Sequence, residues 1–581
     1  MWRGPRTLAR LATGVSAIVA VVALALLPPS RFCIPVVVAA SQEKFGLVAL
    51  LSDEYETGRP VVNGRCVDVK VYRVASGEAE TALRRGWDES SDGAPAPDVW
   101  SPAASTWVKL LDFHRAADGL AKIGPATPPR IVQSPLVIGM PLRMAQALGW
   151  PNADIGWADI FALAQDPDGW TRYNHSEWGR FKLGKTSPLV STSGLHALIA
   201  AHYAGGGKND GSPPDARTLG FMRAVENSVV HYGDAVSTFL KDLQACDDRG
   251  LAEQCVSAIA VEEKQIFDYN RGNPGSLVPE PRSAVPSVPL VAIYPREGTF
   301  FADHPYVVLT TDEQKRRAAD DFLDYLQRKE AQDRFQRAGF RGYNGEPGPE
   351  ITKANYLDPT KPNSVYPAPV PGVVSQVQAA WTTVRKPGRV LLVLDVGASM
   401  ADRAPDTSKS KLDVAKAAAS AALDGFAPDD KVGLWAFSSA SGADPAYREI
   451  LAPAPIAEQK ALLRHEIEGL QPQAKGKALY ATLEAAVASM RARYEPTRIN
   501  AVVVLTDGGN DDPANNDLNG LKRTLRAQPN DAFVRVFTVG FGSKADLTTL
   551  EDIALQARGG AYSDRDKRAM DKILVAVVSN F

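Results

Sequence analysis

Residues 390–399 read Val-Leu-Leu-Val-Leu-Asp-Val-Gly-Ala-Ser, an apolar run that delivers a carboxylate, Asp395, at its end. A second run, Ala501 to Leu505, delivers Thr506-Asp507-Gly508. Between them, Lys475-Gly476-Lys477-Ala478-Leu479-Tyr480 opens a helical stretch. Short apolar runs alternating with amphipathic stretches read as strands and helices of an α/β layer structure with a mostly parallel sheet. In such open sheets, sites gather at the carboxyl ends of strands. Asp395 and Asp507 are both expected there.

Working outward, further strands are expected at Val432–Phe437, Phe533–Val539 and near Ala561-Tyr562. Helices are expected at Leu412–Phe426, Glu458–Leu470, Ala478–Tyr494, Leu518–Ala527, Leu547–Ala557 and Lys567–Val578. Toward the N-terminus, a Pro-rich stretch from Gly345 to Gly372 reads as a semi-rigid connector. Before it lies another α/β unit. The expected division is therefore 1–32, an N-terminal anchor; 33–344, the first unit; 345–385, a linker; and 386–581, the second unit. A chain of 581 residues is too long for one ordinary domain.

Composition narrows the class. The net charge of -2 gives no general pull toward nucleic acid or anionic membrane. Arg3, Arg6 and Arg10 precede an apolar stretch from Leu11 to Leu27, closed by Pro28-Pro29. This reads as a signal anchor or a cleaved signal, with the bulk of the chain exported and the arginines on the cytoplasmic side. The anchor reading makes the protein single-pass in the plasma membrane through a transmembrane helix. The four cysteines suit an oxidising compartment. Cys246 and Cys255 bracket a local loop. Cys33 and Cys66 each precede an apolar run, and they face each other if those runs are neighbouring parallel strands. Free buried thiols are the alternative. No Cys-x-x-Cys or His pair suggests zinc.

In the first unit, three strand ends lead into helices through hydroxyl residues. Val36–Ala40 leads to Ser41, Asp98-Val99-Trp100 to Ser101, and Ser187–Val190 to Ser191-Thr192-Ser193. Helix starts carry unpaired N–H groups and bind anions and polar oxygens, although Ser and Thr also serve as plain caps. Trp100 and Trp107 read as core rather than as sugar-stacking surfaces. The string Gly179-x-x-x-x-Gly184-Lys185-Thr186 matches a nucleotide P-loop, but it lacks the strand before and the helix after that such a loop needs.

The order of segments resembles a two-lobe extracellular solute-binding protein, similar to the molybdate and sulfate binders. The matching segments are Ser134-Pro135-Leu136-Val137-Ile138-Gly139, Ala260–Gln265, Val291–Thr299 and Asp303-His304-Pro305-Tyr306-Val307. The resemblance implies a clamshell with crossing segments near Ser134–Gly139 and Pro295–Pro305. It also implies ligand contacts from Ser41, Ser101, Ser191, Ser193 and Tyr294, with Glu262 a further candidate. The second unit resembles a von Willebrand factor A domain, a Rossmann-like fold whose metal site draws on Asp-x-Ser-x-Ser, Thr and Thr-Asp-Gly loops. Asp395, Ser399 and Asp507 keep the metal-site positions. Gly397 and Lys477 stand where hydroxyl residues belong.

Two readings of Lys477 follow. Either its ammonium pairs with Asp395 and Asp507 in place of a cation, or it faces solvent and leaves a weak Mg²⁺-type site that Asp511 and Asp512 help attract. The bland alternative is that the acidic groups only cap helices and turns. No cofactor is expected beyond that weak ion. The expected function is a membrane-tethered extracytoplasmic receptor for a small polar solute or oxyanion, with a protein or envelope partner on the second unit. The alternative is a component delivering solute to a transporter. No Gly-x-Ser-x-Gly or His-Glu-x-x-His points to an enzyme.

Overall fold

The computed structural model describes residues 33–281, 284–404, 407–439, 446–473, 476–542, 545–563 and 570–581. The expected N-terminal anchor at 1–32 lies outside the described residues. Among the described residues, no helix is long and apolar enough to cross a membrane.

Three sheets carry the chain. In the first lobe, Ile34–Ala40 is central and runs parallel to Arg65–Arg73 and Val99–Ser101. Alternating inward residues such as Val36, Val38, Val67 and Val69 pack under helices Gln42–Thr57 and Glu313–Leu326. The second lobe is built on Ser134–Pro141, which pairs antiparallel with Ala258–Glu262, Leu290–Ile293 and Phe301–Ala302. The lobes join where Ala302 pairs with Ser134 and Arg130 bridges Pro305, so two adjacent antiparallel segments form the crossing. A further bridge, Gln133 to Arg341, lies alongside.

The third sheet has the order Tyr447–Pro455, Lys431–Phe437, Gly388–Asp395, Ile499–Thr506, Arg535–Gly540, Ala561–Ser563. Gly388–Asp395 and Ile499–Thr506 are buried along their whole length, as central parallel strands covered on both faces must be. The one antiparallel member, Tyr447–Pro455, lies at the edge. Sequence reading missed it because Pro453 and Pro455 argue against a strand, yet an edge tolerates prolines that a centre does not.

Both cysteine pairs are bonded. Cys33–Cys66 joins the paired starts of Ile34–Ala40 and Arg65–Arg73, and Cys246–Cys255 closes the turn after helix Val236–Asp247. Trp100 and Trp107 are core residues, as expected. The P-loop look-alike ends in the buried strand Leu183–Thr186, and Ser191 then stands at the start of the next helix without a side-chain capping bond.

The proline-rich stretch is more than a connector. Ile351 and Leu357 enter the core of the second lobe, and the Tyr366 ring packs on Tyr203 and Phe300. Helix Pro371–Val384 follows, with proline in its first turn where a missing N–H costs nothing. Val373, Val374, Val377, Trp381 and Val384 form one buried face. That face packs on Ser105–Ala117 of the first lobe and on Thr192–Ala204 and Ala216–Asn227 of the second. This helix straps the two lobes together. The second unit then leans on the second lobe. Tyr232 N–H donates to Asn580 O at 2.9 Å, and Lys386 N–H to Tyr232 Oη at 2.8 Å.

Candidate functional site

Five helices begin at one point between the lobes. Gln42–Thr57 and Ser76–Arg85 come from the first lobe; Thr192–Ala204, Val236–Asp247 and Glu263–Asn270 come from the second. The first residues of four of them, and Glu262 and Gln265 at the start of the fifth, line a cavity of about 40 Å³. No side chain caps the first turns of the helices starting at Gln42, Ser76, Thr192 and Val236. Their N–H groups and positive dipole ends converge on the cavity. The lobes are closed on it. Gln42 Nε2 donates to Ser237 Oγ at 2.9 Å, Trp107 Nε1 to Thr192 Oγ1 at 2.8 Å, and Gly77 N–H to Val190 O at 2.9 Å. Gly77 permits this approach, because a Cβ there would stand 2.0 Å from Leu189 O.

Of the five expected ligand residues, Ser41, Ser191 and Ser193 line this cavity. Ser191 and Ser193 hydroxyls share a hydrogen bond of 3.1 Å, and Ser193 also bonds Thr186 Oγ1 at 3.1 Å. The other two lie elsewhere. Ser101 donates to Pro305 O at 2.7 Å and holds the first lobe to the crossing segment. Tyr294 sits in the second lobe's core and donates to Glu263. Both follow strand ends in sequence, but their strands point them into packed walls.

Sequence reading passed over the charged residues beside Ser41. Lys44 is fully buried, and its ammonium bonds Ser41 Oγ, Pro102 O at 3.0 Å and His304 Nδ1 at 3.3 Å. Ser41 in turn donates to Glu43. His304 Nε2 lies 3.2 Å from Glu262 Oε2. Burial pulls Lys44 down to about 8 and His304 to about 3, and pushes Glu262 up to about 8. Glu43, Glu262 and His304 form a group whose ligand atoms lie within 4.8 Å of one another. The Lys44 ammonium already occupies that neighbourhood. Glu43, Asp234 and Glu262 reach the cavity wall, and no Lys, Arg or His does. The donors here are the N–H groups of helix ends, and the acceptors are the carboxylates of Glu43, Asp234 and Glu262.

In the second unit, Asp395 and Asp507 end neighbouring strands as expected. Asp395 Oδ2 accepts from Thr506 Oγ1 at 2.7 Å, and Oδ1 from Gly397 N–H at 2.8 Å. Burial raises its carboxyl to about 6 against those bonds. Asp507 Oδ1 accepts from Lys477 Nζ and from Ser399 Oγ, both at 2.8 Å. Asp507 Oδ2 accepts from Lys411 Nζ at 2.5 Å. Burial acts to raise Asp507, but bonds from Lys411, Lys477 and Ser399 hold it below the usual carboxylate range. The expected direct bond from Lys477 to Asp395 is absent from this arrangement. Thr506 and the Gly397 amide serve Asp395 instead. Lys411, the first residue of helix Lys411–Ala422, was not anticipated, because nothing in its local sequence marks it as facing the site.

A family-type divalent ion fits this arrangement poorly. A Cβ on Gly397 would stand 2.9 Å from Lys477 Cγ, and one on Gly508 would stand 2.5 Å from Lys477 Nζ. The lysine runs along a lane that two glycines leave open. Two ammonium groups bond the single carboxylate of Asp507, with Asp395 alongside, and together they carry the same positive charge that a divalent ion would bring. The oxygens such an ion needs are already hydrogen-bonded.

Comparison with known proteins agrees with the architecture. The profile of the bacterial extracellular solute-binding protein family matches residues 36–341, and that of the von Willebrand factor type A domain matches 390–510. Among solved structures, a von Willebrand factor type A protein from Catenulispora acidiphila is 18% identical, with 34% of this chain and 42% of that chain covered and a TM-score of 0.27. The sulfate-binding protein SubI from Mycobacterium tuberculosis H37Rv is 15% identical, with 60% of this chain and 97% of that one covered and a TM-score of 0.36. A periplasmic thiamin binding protein is 11% identical over 61% of this chain and 96% of its own, with a TM-score of 0.40. No curated protein matches.

Proposed function

Since this chain belongs, through residues 36–341, to the bacterial extracellular solute-binding protein family, we propose that it is an extracytoplasmic receptor tethered by its N-terminal segment. Its cleft takes a small polar solute or oxyanion. Its von Willebrand type A domain docks a protein or envelope partner. The observation that carries this reading is the convergence of five helix starts, from both lobes, on one cavity. Backbone N–H groups and helix dipoles there supply binding without a cationic side chain.

The strap helix Pro371–Val384 supports a route from cleft to partner. Gln378 Nε2 donates to Pro188 O at 2.9 Å in the second lobe, and Ser375 Oγ lies 3.4 Å from His114 Nε2 in the first. Parting the lobes takes this helix off one of its two seats. The chain enters the A-type sheet at Gly388, directly beyond. Cleft state thereby biases how that domain is held. At the far end of the domain, the ammonium groups of Lys411 and Lys477 take the place of the family's ion, so docking there is independent of metal.

Thermal unfolding of the full chain against sulfate, molybdate, phosphate and neutral sugars tests the cleft. A cognate solute raises the midpoint saturably by mass action, worth about 2.7 kcal/mol at a hundredfold excess over Kd. Ser191→Leu, which puts bulk into the cavity, abolishes the rise. A response that survives Ser191→Leu unchanged, or no response to any of these classes, contradicts the reading.

A further inference from the structure

A small gap lies where the second lobe meets the A-type domain. It measures about 20 Å³, and its wall includes His231, Phe239 and Asp242 from the lobe and Arg535 and Arg558 from the domain. We propose that this gap binds one small inorganic anion, of chloride or bromide size, shared between the two domains. This site is separate from the solute cleft and does not rest on its reading.

The polar atoms around the gap are the reason. Neither ring nitrogen of His231 has a hydrogen-bond partner among the described residues, nor do Arg558 Nε and Asp242 Oδ2. The His231 ring is 1% exposed and is packed between Phe239, at 4.5 Å, and Phe537, at 6.0 Å, one ring from each domain. Unpartnered buried polar groups of this number are rare, and each costs roughly 1–3 kcal/mol. A buried imidazole N–H and a buried guanidinium N–H that lack acceptors call for an acceptor between them.

The charge balance distinguishes an anion from water. Arg535 and Arg558 are both buried, and Asp242, the carboxylate on the gap's wall among the described residues, lies 4.0 Å from Arg535 Nη1. Arg249 adds a third guanidinium nearby, with its own Nε unpartnered. Positive charge on buried side chains therefore exceeds negative at this interface, which is costly unless neutralised. Burial, together with Arg535 and Arg249, pulls Arg558 down to about 9, as expected of a guanidinium short of counter-charge. Burial lifts the Asp242 carboxyl to about 7, and in its protonated form it donates toward an anion rather than repelling it. A gap of this size admits a single small occupant. Water would fill it but leave the excess charge. A halide fills it and removes one unit.

The backbone is committed to this arrangement. Arg558 adopts φ 51, a conformation side chains seldom take, and its carbonyl accepts from the Arg535 guanidinium. Its Nη2 donates to Asn530 Oδ1 at 2.6 Å, and its guanidinium lies 4.1 Å from the Phe533 ring. The bound anion ties β-strand Val229–Gly233 of the lobe to Arg535–Gly540 of the domain.

The test is thermal unfolding of the full chain in sodium bromide against sodium gluconate at equal ionic strength, paired with crystals grown in bromide. The expected result is a saturable rise of about 2 °C or more in bromide. An anomalous bromine peak within hydrogen-bonding reach of Arg535 and Arg558 is expected with it. Arg558→Gln loses the rise. If that variant does not fold, His231→Phe fills the gap with an apolar ring and is expected to fold without the halide response. Equal midpoints in the two salts, or density at the gap with no anomalous signal, meaning ordered water only, overturn the proposal.

Discussion

Trp381→Ala is the perturbation that bears most directly on the strap. Trp381 is 4% exposed and packs edge-on to Tyr232 with ring centroids 5.1 Å apart. Its Nε1 donates to Glu226 Oε2 at 3.3 Å. Glu226 keeps Lys185 and the Tyr232 hydroxyl after the substitution, so no buried charge is stranded. The loss is then mainly packing, about 3–5 kcal/mol for a buried tryptophan. If that energy seats the helix, local opening of Pro371–Val384 becomes about 10²- to 4 × 10³-fold more frequent, at one decade per 1.4 kcal/mol. Amide hydrogen exchange reads this directly. Protection is expected to fall across residues 373–384 by that factor, and to fall also at Gly77, whose N–H bonds Val190 O across the cleft. Faster exchange in the helix with Gly77 unchanged would refute the reasoning, because the lobes would then close without the strap.

Gly397→Ser is expected to destabilise by about 1–3 kcal/mol, since its Cβ would press on Lys477 Cγ at 2.9 Å and Asp395 Oδ1 at 3.1 Å. Lys477→Thr in the same chain clears that lane, so urea unfolding of the double variant is expected to show strong coupling; additive losses would contradict the shared lane. His196 is buried and held at about 3, against 6.5 unfolded, by burial alone. The unfolded chain takes a proton between those values that the folded chain refuses. Stability from this group is full above pH 6.5 and falls as pH drops toward 3, by about 5 kcal/mol in all. In His196→Gln, the unfolding midpoint is expected to depend less on pH across that window; an identical profile would contradict it.

Much of the layout was legible from residue order. Apolar runs ending in Asp395 and Asp507 placed those carboxylates on adjacent strand ends, because period and length alone distinguish a buried parallel strand. The Cys33–Cys66 pairing was legible only on the condition that two apolar runs be neighbouring parallel strands, which the structure meets. The serines were half legible. Ser41, Ser191 and Ser193 reach the cavity, while Ser101, with the same local signature, faces the crossing segment at Pro305. Local sequence marks a helix start but does not say which way the strand before it is turned. The strap was obscured by its prolines, which signal extended chain until Pro371 opens a helix. Lys44 and Lys411 were illegible for a different reason. A lysine in a first helical turn ordinarily faces water, and only tertiary packing buries these two.

The central claim for the second domain is that lysine ammonium groups hold the place of an ion. Paramagnetic titration of the full chain with Mn²⁺ tests it most directly, alongside Asp507→Asn. The account predicts no saturable site that distinguishes parent from variant. One-to-one Mn²⁺ binding to the parent that disappears in Asp507→Asn would contradict it.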